Sequence, residues 1–210
     1  MSAKDNLRVI HTVDGATLTN LYGKAMISRK DVGLISLSTG EIVMANPRRD
    51  YHIADFKRKA FSRNVEPGIY PVTVYIAHSK RDQRLAFAEI RFSDQKPVSY
   101  VAAKSIYDVE KNRLGFCGYF VDGYCTGFMD AELFRKVCAL PACSMAEDLL
   151  SFDEPEKDYS NIVPCKIGST KDGTPLATMF PVQSGVYYWY WGKDRKGNPC
   201  TLTADFFTYT

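Results

Sequence analysis

Five consecutive aromatic residues, Tyr187-Tyr188-Trp189-Tyr190-Trp191, place the tightest constraint on what this chain can fold into. Side chains alternate across a strand, so Tyr188 and Tyr190 fall on one face and Tyr187, Trp189 and Trp191 on the other. At least one face must be core. The other is either a row of aromatic anchors open to a partner or a second buried surface covered by helices. A hairpin partner follows in Cys200 to Phe207, across the polar segment Lys193 to Pro199.

The same period of two recurs elsewhere. Ile69 to Ala77 is rich in branched and aromatic residues; after the polar turn 78–83, Arg84 to Phe92 alternates large apolar with small or polar residues. Together they read as an antiparallel hairpin. Val43–Met44 and Leu176–Val182 read as shorter strands, and Val98–Ala103 as a strand added to the first hairpin. Helical signals concentrate between residues 130 and 151. Asp130 can cap a helix through Val137, with an acid at its start and bases near its end, and Pro141 stops it. Ser144 to Glu147 forms a capping box for a second helix, and 153–161 is a polar loop. The fold class that follows is α+β: mainly an antiparallel β-sheet assembly with a few helices between residues 130 and 151, on one side of the sheet. A length of 210 residues fits one β-rich domain over 1–210, large enough to need no disulfide staples.

The net charge of +3 hides an uneven spread. Residues 1–105 hold 17 Lys and Arg against 10 Asp and Glu, whereas residues 106–210 hold 10 against 14. The basic excess is densest from Arg48 to Arg63, where Arg48, Arg49, Lys57, Arg58, Lys59 and Arg63 meet only Asp50 and Asp55. Such a stretch is either a solvated face or an electrostatic footprint for an acidic protein or for nucleic acid, the less favoured partner. Met1 to Asn6 is polar without a signal-peptide pattern, and no apolar run reaches the ~20 residues of a bilayer-spanning helix. A cytoplasmic protein with no membrane partner is expected, its six cysteines reduced. Cys117, Cys125, Cys138, Cys143, Cys165 and Cys200 contain no C-x-x-C pair, so no structural zinc is expected, and no motif requires a cofactor.

Three blocks carry a resemblance. The first is Val65 to Val72, continued by Asp82-Gln83-Arg84-Leu85-Ala86-Phe87-Ala88 and Phe92-Ser93-Asp94. The second is Val121-Asp122-Gly123-Tyr124-Cys125-Thr126-Gly127-Phe128-Met129-Asp130-Ala131. The third joins Ser184-Gly185, Tyr190-Trp191-Gly192-Lys193-Asp194 and Leu202-Thr203-Ala204-Asp205-Phe206. Over roughly residues 40–208 the chain resembles the bacterial family called domain of unknown function 4241. The resemblance implies no established activity. The chain departs from it where Ser184-Gly185 runs directly into Val186-Tyr187-Tyr188, in place of the family's Gly- and Asp-rich turn. If that turn serves a ligand, this member has lost it.

Three carboxylates lie in these blocks: Asp122, Asp130 and Asp205. If they converge they can bind Mg²⁺ or Ca²⁺, or act as a general acid–base pair. Each also has a structural use, Asp122-Gly123 as a turn, Asp130 as an N-cap and Asp205 as a cross-strand partner of Arg84. Cys125, in a Gly-rich segment before the expected helix, is either a nucleophile activated by the helix terminus or a small buried thiol. The histidines, His11, His52 and His78, are distant from it in sequence, and Ser184 lacks a G-x-S-x-G setting. No nucleophile–base pair and no metal quartet assembles from these residues. The expectation is therefore a non-catalytic protein-interaction domain, immunity-like or regulatory. It would bind through Tyr188, Tyr190, Trp189 and Trp191, with Arg84 and Arg58 as accompanying cations. The alternative is a metal-dependent hydrolase built on Asp122, Asp130 and Asp205.

Overall fold

Alternating apolar side chains make strands, and strand accounts for 52% of the described residues against 18% helix. The computed structural model describes residues 2–11, 15–20, 23–46, 52–80, 83–113, 118–121, 125–139 and 165–208. The strands are β1 (Thr17–Asn20), β2 (Gly23–Leu37), β3 (Ile42–Met44), β4 (Gly68–His78), β5 (Gln83–Arg91), β6 (Ser99–Ala102), β7 (Tyr119–Val121), β8 (Cys125–Asp130), β9 (Cys165–Ser169), β10 (Pro175–Pro181), β11 (Gly185–Lys193) and β12 (Pro199–Asp205). The helices are α1 (Ala3–Ile10), α2 (Phe56–Lys59), α3 (Ile106–Glu110) and α4 (Ala131–Ala139), with a 3-10 turn at Ile53–Asp55 leading into α2.

The strands pair antiparallel in two sheets. One runs β1-β2-β4-β5-β12-β11-β6, with β7 pairing the start of β11; the other runs β3-β8-β10-β9. The two expected hairpins, β4–β5 and β11–β12, are both present. β6 joins β11, with Tyr190 opposite Ala102, and does not extend the β4–β5 hairpin as expected. The reason is that β4 lies between β2 and β5, and β5 between β4 and β12, so neither has a free edge to offer.

The expectation of one sheet with helices on one side is corrected. The two sheets face each other, and helices cover both outer faces. Between the sheets, Ile35, Val74, Ile90, Trp189, Trp191 and Leu202 meet Ile42, Met44, Phe128 and Phe180 in one buried cluster. Behind the first sheet, α1 lays Ala3, Leu7 and Ile10 on Tyr75, Phe87, Tyr100 and Tyr190. Behind the second, Leu133, Phe134 and Val137 of α4 pack on Val43, Met129, Ala177 and Met179. Central strands that are apolar on both faces require this double cover, since an uncovered face would leave aromatic area in water.

α4 lies in the window where helices were expected; the capping box at Ser144 falls outside the described residues. α1 and α3 lie outside that window, and each begins with a capping box that the sequence does display. Ser2 and Asp5 cap α1, and Ser105 and Asp108 cap α3. No helix among the described residues is long and apolar enough to cross a membrane.

Candidate functional site

The aromatic run forms no exposed row. Trp189 and Tyr190 are each 1% exposed and Trp191 is 3% exposed, while Tyr188 is half-buried against the cluster beneath α1. The expected binding face is therefore core on both sides, because the second sheet covers one face and α1 the other. Arg84, on β5, lines a hollow of about 30 Å³ with Val182, Gln183 and Phe206, room for about one water.

The carboxylates are used locally. Asp130 ends β8 and accepts from the Glu132 N–H at 2.8 Å, at the start of α4, and from the Thr39 N–H and hydroxyl at 3.0 Å each. Asp205 ends β12 and accepts from the Phe207 and Thr208 N–H groups at 2.9 and 2.8 Å. Arg84 does not pair with Asp205 as expected, since the strand end turns the carboxylate onto its own backbone. Burial pushes the Asp205 carboxyl up to about 6, the bonds from Thr208 and Phe207 pulling the other way. Asp130 and Asp205 thus sit on different sheets with different partners, and Asp122 lies outside the described residues. Among the described residues, no group of three or more His, Cys, Asp or Glu is placed to hold a metal ion.

Cys125 opens β8 and is buried with Met129, Met179 and Ala177, well short of the start of α4. The activation by a helix terminus weighed for it has no geometric basis. Cys125, Cys138 and Cys200 are free thiols; Cys117 and Cys143 lie outside the described residues.

What the tertiary structure does assemble is a basic cleft. α2, α3 and the approach to β7 enclose about 440 Å³. Phe56 anchors the start of α2 behind the second sheet, 5.9 Å from the Phe134 ring. Phe61, just past its end, is buried 5.2 Å from Tyr119 and 5.5 Å from Trp189. Pinned by aromatics at both ends, the segment between them has only its cations left to turn outward. α3 is tied alongside, with the Ile106 N–H donating to the Ala60 carbonyl at 3.0 Å and the Ser62 N–H to the Lys104 carbonyl at 2.9 Å. In β7 the buried Tyr119 and Val121 leave Phe120 pointing outward, 60% exposed.

Within the cleft, the guanidiniums of Arg58 and Arg113 each lie 5.2 Å from the centroid of the Tyr107 ring. Arg113 is 3.8 Å from Asp108, beyond hydrogen-bond reach. The other Asp108 oxygen is occupied as a cap, accepting from the Ser105 hydroxyl at 2.8 Å. Lys59 Nζ donates to the Phe120 carbonyl at 3.3 Å, and Lys57 pairs outside with Glu110 at 2.6 Å. Arg58 has its ring contact and no ion pair among the described residues. Guanidiniums held over an aromatic face keep their charge and present planar N–H edges that match carboxylate or phosphate oxygens. Arg58 was singled out in the sequence; Tyr107, Arg113 and Phe120 were not. The one local signal for them is the Ser105–Asp108 capping box. Arg48 and Arg49 lie outside the described residues.

Fold and site together define the class: a β-rich α+β protein of two antiparallel sheets, helix-covered on both outer faces, with an open basic cleft at one margin. More particularly, the chain belongs to the DUF4241 family, described as a protein of unknown function, whose family model matches residues 35–204. That range includes every described residue of the cleft and leaves α1 and β1 outside it. Neither the curated proteins nor the solved structures compared with it give a match.

Proposed function

We propose that this chain is a non-catalytic interaction domain that holds an acidic partner protein at the Arg58–Arg113 cleft. The observation that carries the proposal is the pair of guanidiniums sharing one tyrosine ring at an open, concave surface. Such an arrangement concentrates positive charge where an anion can still reach it. The local use of Asp130 and Asp205 by backbone N–H groups supports this over the hydrolase alternative. A domain of this kind acts as an immunity or regulatory partner, by occupying another protein's surface, and its rim charges set encounter rate and selectivity.

Poly-L-glutamate is a suitable first probe, titrated by isothermal calorimetry at low and at raised salt. Saturable binding that weakens with salt is expected, reduced at least about tenfold in the double variant Arg58→Glu/Arg113→Glu. Binding that is absent, or that the double variant leaves unchanged, overturns the proposal. Circular dichroism establishes that the variant retains its fold.

A further inference from the structure

Phe120 does not stand alone at the mouth of the cleft. In the β7–β11 pairing it lies directly opposite Val186, and the two are 60% and 49% exposed. Gly118 brings the backbone close against the same valine: a Cβ there would fall 2.2 Å from Val186 Cγ1. The strand pair therefore holds an aromatic and a branched side chain side by side in solvent, and Phe120 is also part of the cleft wall. An exposed apolar pair on a backbone this closely packed is a rigid lip, continuous with a floor of guanidinium charge.

Building on the acidic-partner reading, we infer that the site is bipartite. Aspartate or glutamate side chains of a partner peptide segment sit on Arg58 and Arg113, and a neighbouring leucine, isoleucine or phenylalanine covers Phe120 and Val186. Charge and shape favour peptide over nucleic acid. Among the described residues, the cleft wall sets three cations, Arg58, Lys59 and Arg113, against two carboxylates, Asp55 and Asp108. A net charge this small suits single carboxylates and is poor for tracking a phosphate backbone. The Tyr107 ring already bears two guanidiniums, so it is no open platform for stacking a base. An aliphatic neighbour beside Phe120 suits a hydrocarbon side chain, and a clefted volume of about 440 Å³ holds a few residues of extended chain.

The test uses two fluorescein-labelled peptides of equal negative charge, one with glycines beside its acidic run and one with leucine and phenylalanine there. Anisotropy titrations compare the unaltered protein with Phe120→Ser, with Arg58→Glu/Arg113→Glu, and with Lys171→Glu as a distant charge control. The apolar-flanked peptide is expected to bind about tenfold more tightly than the glycine peptide. Phe120→Ser should abolish that advantage, bringing the two peptides to equal affinity; the double arginine variant should weaken both, and Lys171→Glu neither. Val186→Ser repeats the test from the opposite strand if Phe120→Ser lowers the melting temperature. Equal affinity for the two peptides overturns the bipartite site and leaves the acidic-partner reading standing. A single-stranded oligonucleotide that displaces both peptides overturns the two together.

Discussion

Glu89 sits in the middle of the first sheet, between Thr73 of β4 and Thr203 of β12. Its Oε2 accepts from the Thr203 hydroxyl at 2.9 Å and lies 2.8 Å from His11 Nε2. Burial raises its carboxyl to about 7, partly offset by Thr203 and the nearby arginines. Burial, followed by the charges of Arg91, Arg29 and Lys96, lowers His11 to about 4. A raised carboxyl pKa means that the fold disfavours ionised Glu89. That cost is absent below the ordinary value of 4.5, grows as pH rises, and is complete above about 7. His11 acts in the opposite sense: the fold favours its neutral form, so its contribution to stability declines as pH falls below 6.5. Glu89→Gln removes the carboxyl cost and keeps an acceptor. The variant is expected to be more stable than the parent by about 2 kcal/mol near pH 8, the gap closing by about pH 5, in urea denaturation at each pH. A gap that does not change with pH would show that the shape of Glu89 matters and its charge does not. Gly127 makes a steric counterpart. A Cβ there would lie 2.1 Å from the Thr178 carbonyl oxygen and 2.8 Å from Met179 Cα, so alanine must part β8 from β10. Gly127→Ala is expected to lower Tm by roughly 5–10 °C in a thermal scan.

At the scale of elements, α1 shows how a short helix completes a sheet. Its apolar residues Ala3, Leu7 and Ile10 recur at helical spacing and are all buried. Tyr100 donates to the Leu7 carbonyl at 3.2 Å, and the Asn6 amide donates to the Thr208 hydroxyl at 3.0 Å, tying the helix to both β6 and the chain's end. A helix of eight residues has little stability alone, so packing must hold it. Leu7→Ala, at a fully buried site, is expected to cost about 2–4 kcal/mol, read as a lower urea midpoint. A change below about 0.5 kcal/mol would mean that α1 is not what covers Tyr190. The aromatic run signals that some cover is needed. It does not signal that the cover is the N-terminal segment, because the burying residues lie at the far end of the chain.

Across the whole molecule, Trp189 joins the core to the cleft. Its ring is 5.2 Å from Phe128 of the second sheet, 5.5 Å from Phe61 and 6.2 Å from Tyr119. Phe61 follows the segment that carries Arg58 and Lys59, and Tyr119 precedes Phe120, so one buried ring positions both walls of the cleft. Trp189→Ala is expected to cost about 3–5 kcal/mol and to weaken binding of the acidic peptides even where the variant remains folded. Denaturation and anisotropy on the same preparation check both. Unchanged affinity in a destabilised Trp189→Ala protein would mean that the cleft is set by α2 and α3 alone.

By itself the sequence determined strands close to 69–77, 84–92, 176–182, 185–191 and 200–207, the last of which ends at Asp205, together with the helix after Asp130 and the turns between them. Alternation and capping are relations among neighbouring residues, and water sorts apolar from polar faces wherever the segment sits. Tertiary structure decided the rest: that two sheets stack, that both faces of Tyr187–Trp191 are buried, and that Asp130 and Asp205 accept from separate sets of neighbours. It also decided that Arg58, Tyr107, Arg113 and Phe120 meet at one cleft. Their meeting follows from where Phe56, Phe61 and Tyr119 find aromatic partners in the cores. Those partners come from distant segments, so the pattern around each cleft residue carries no trace of the others.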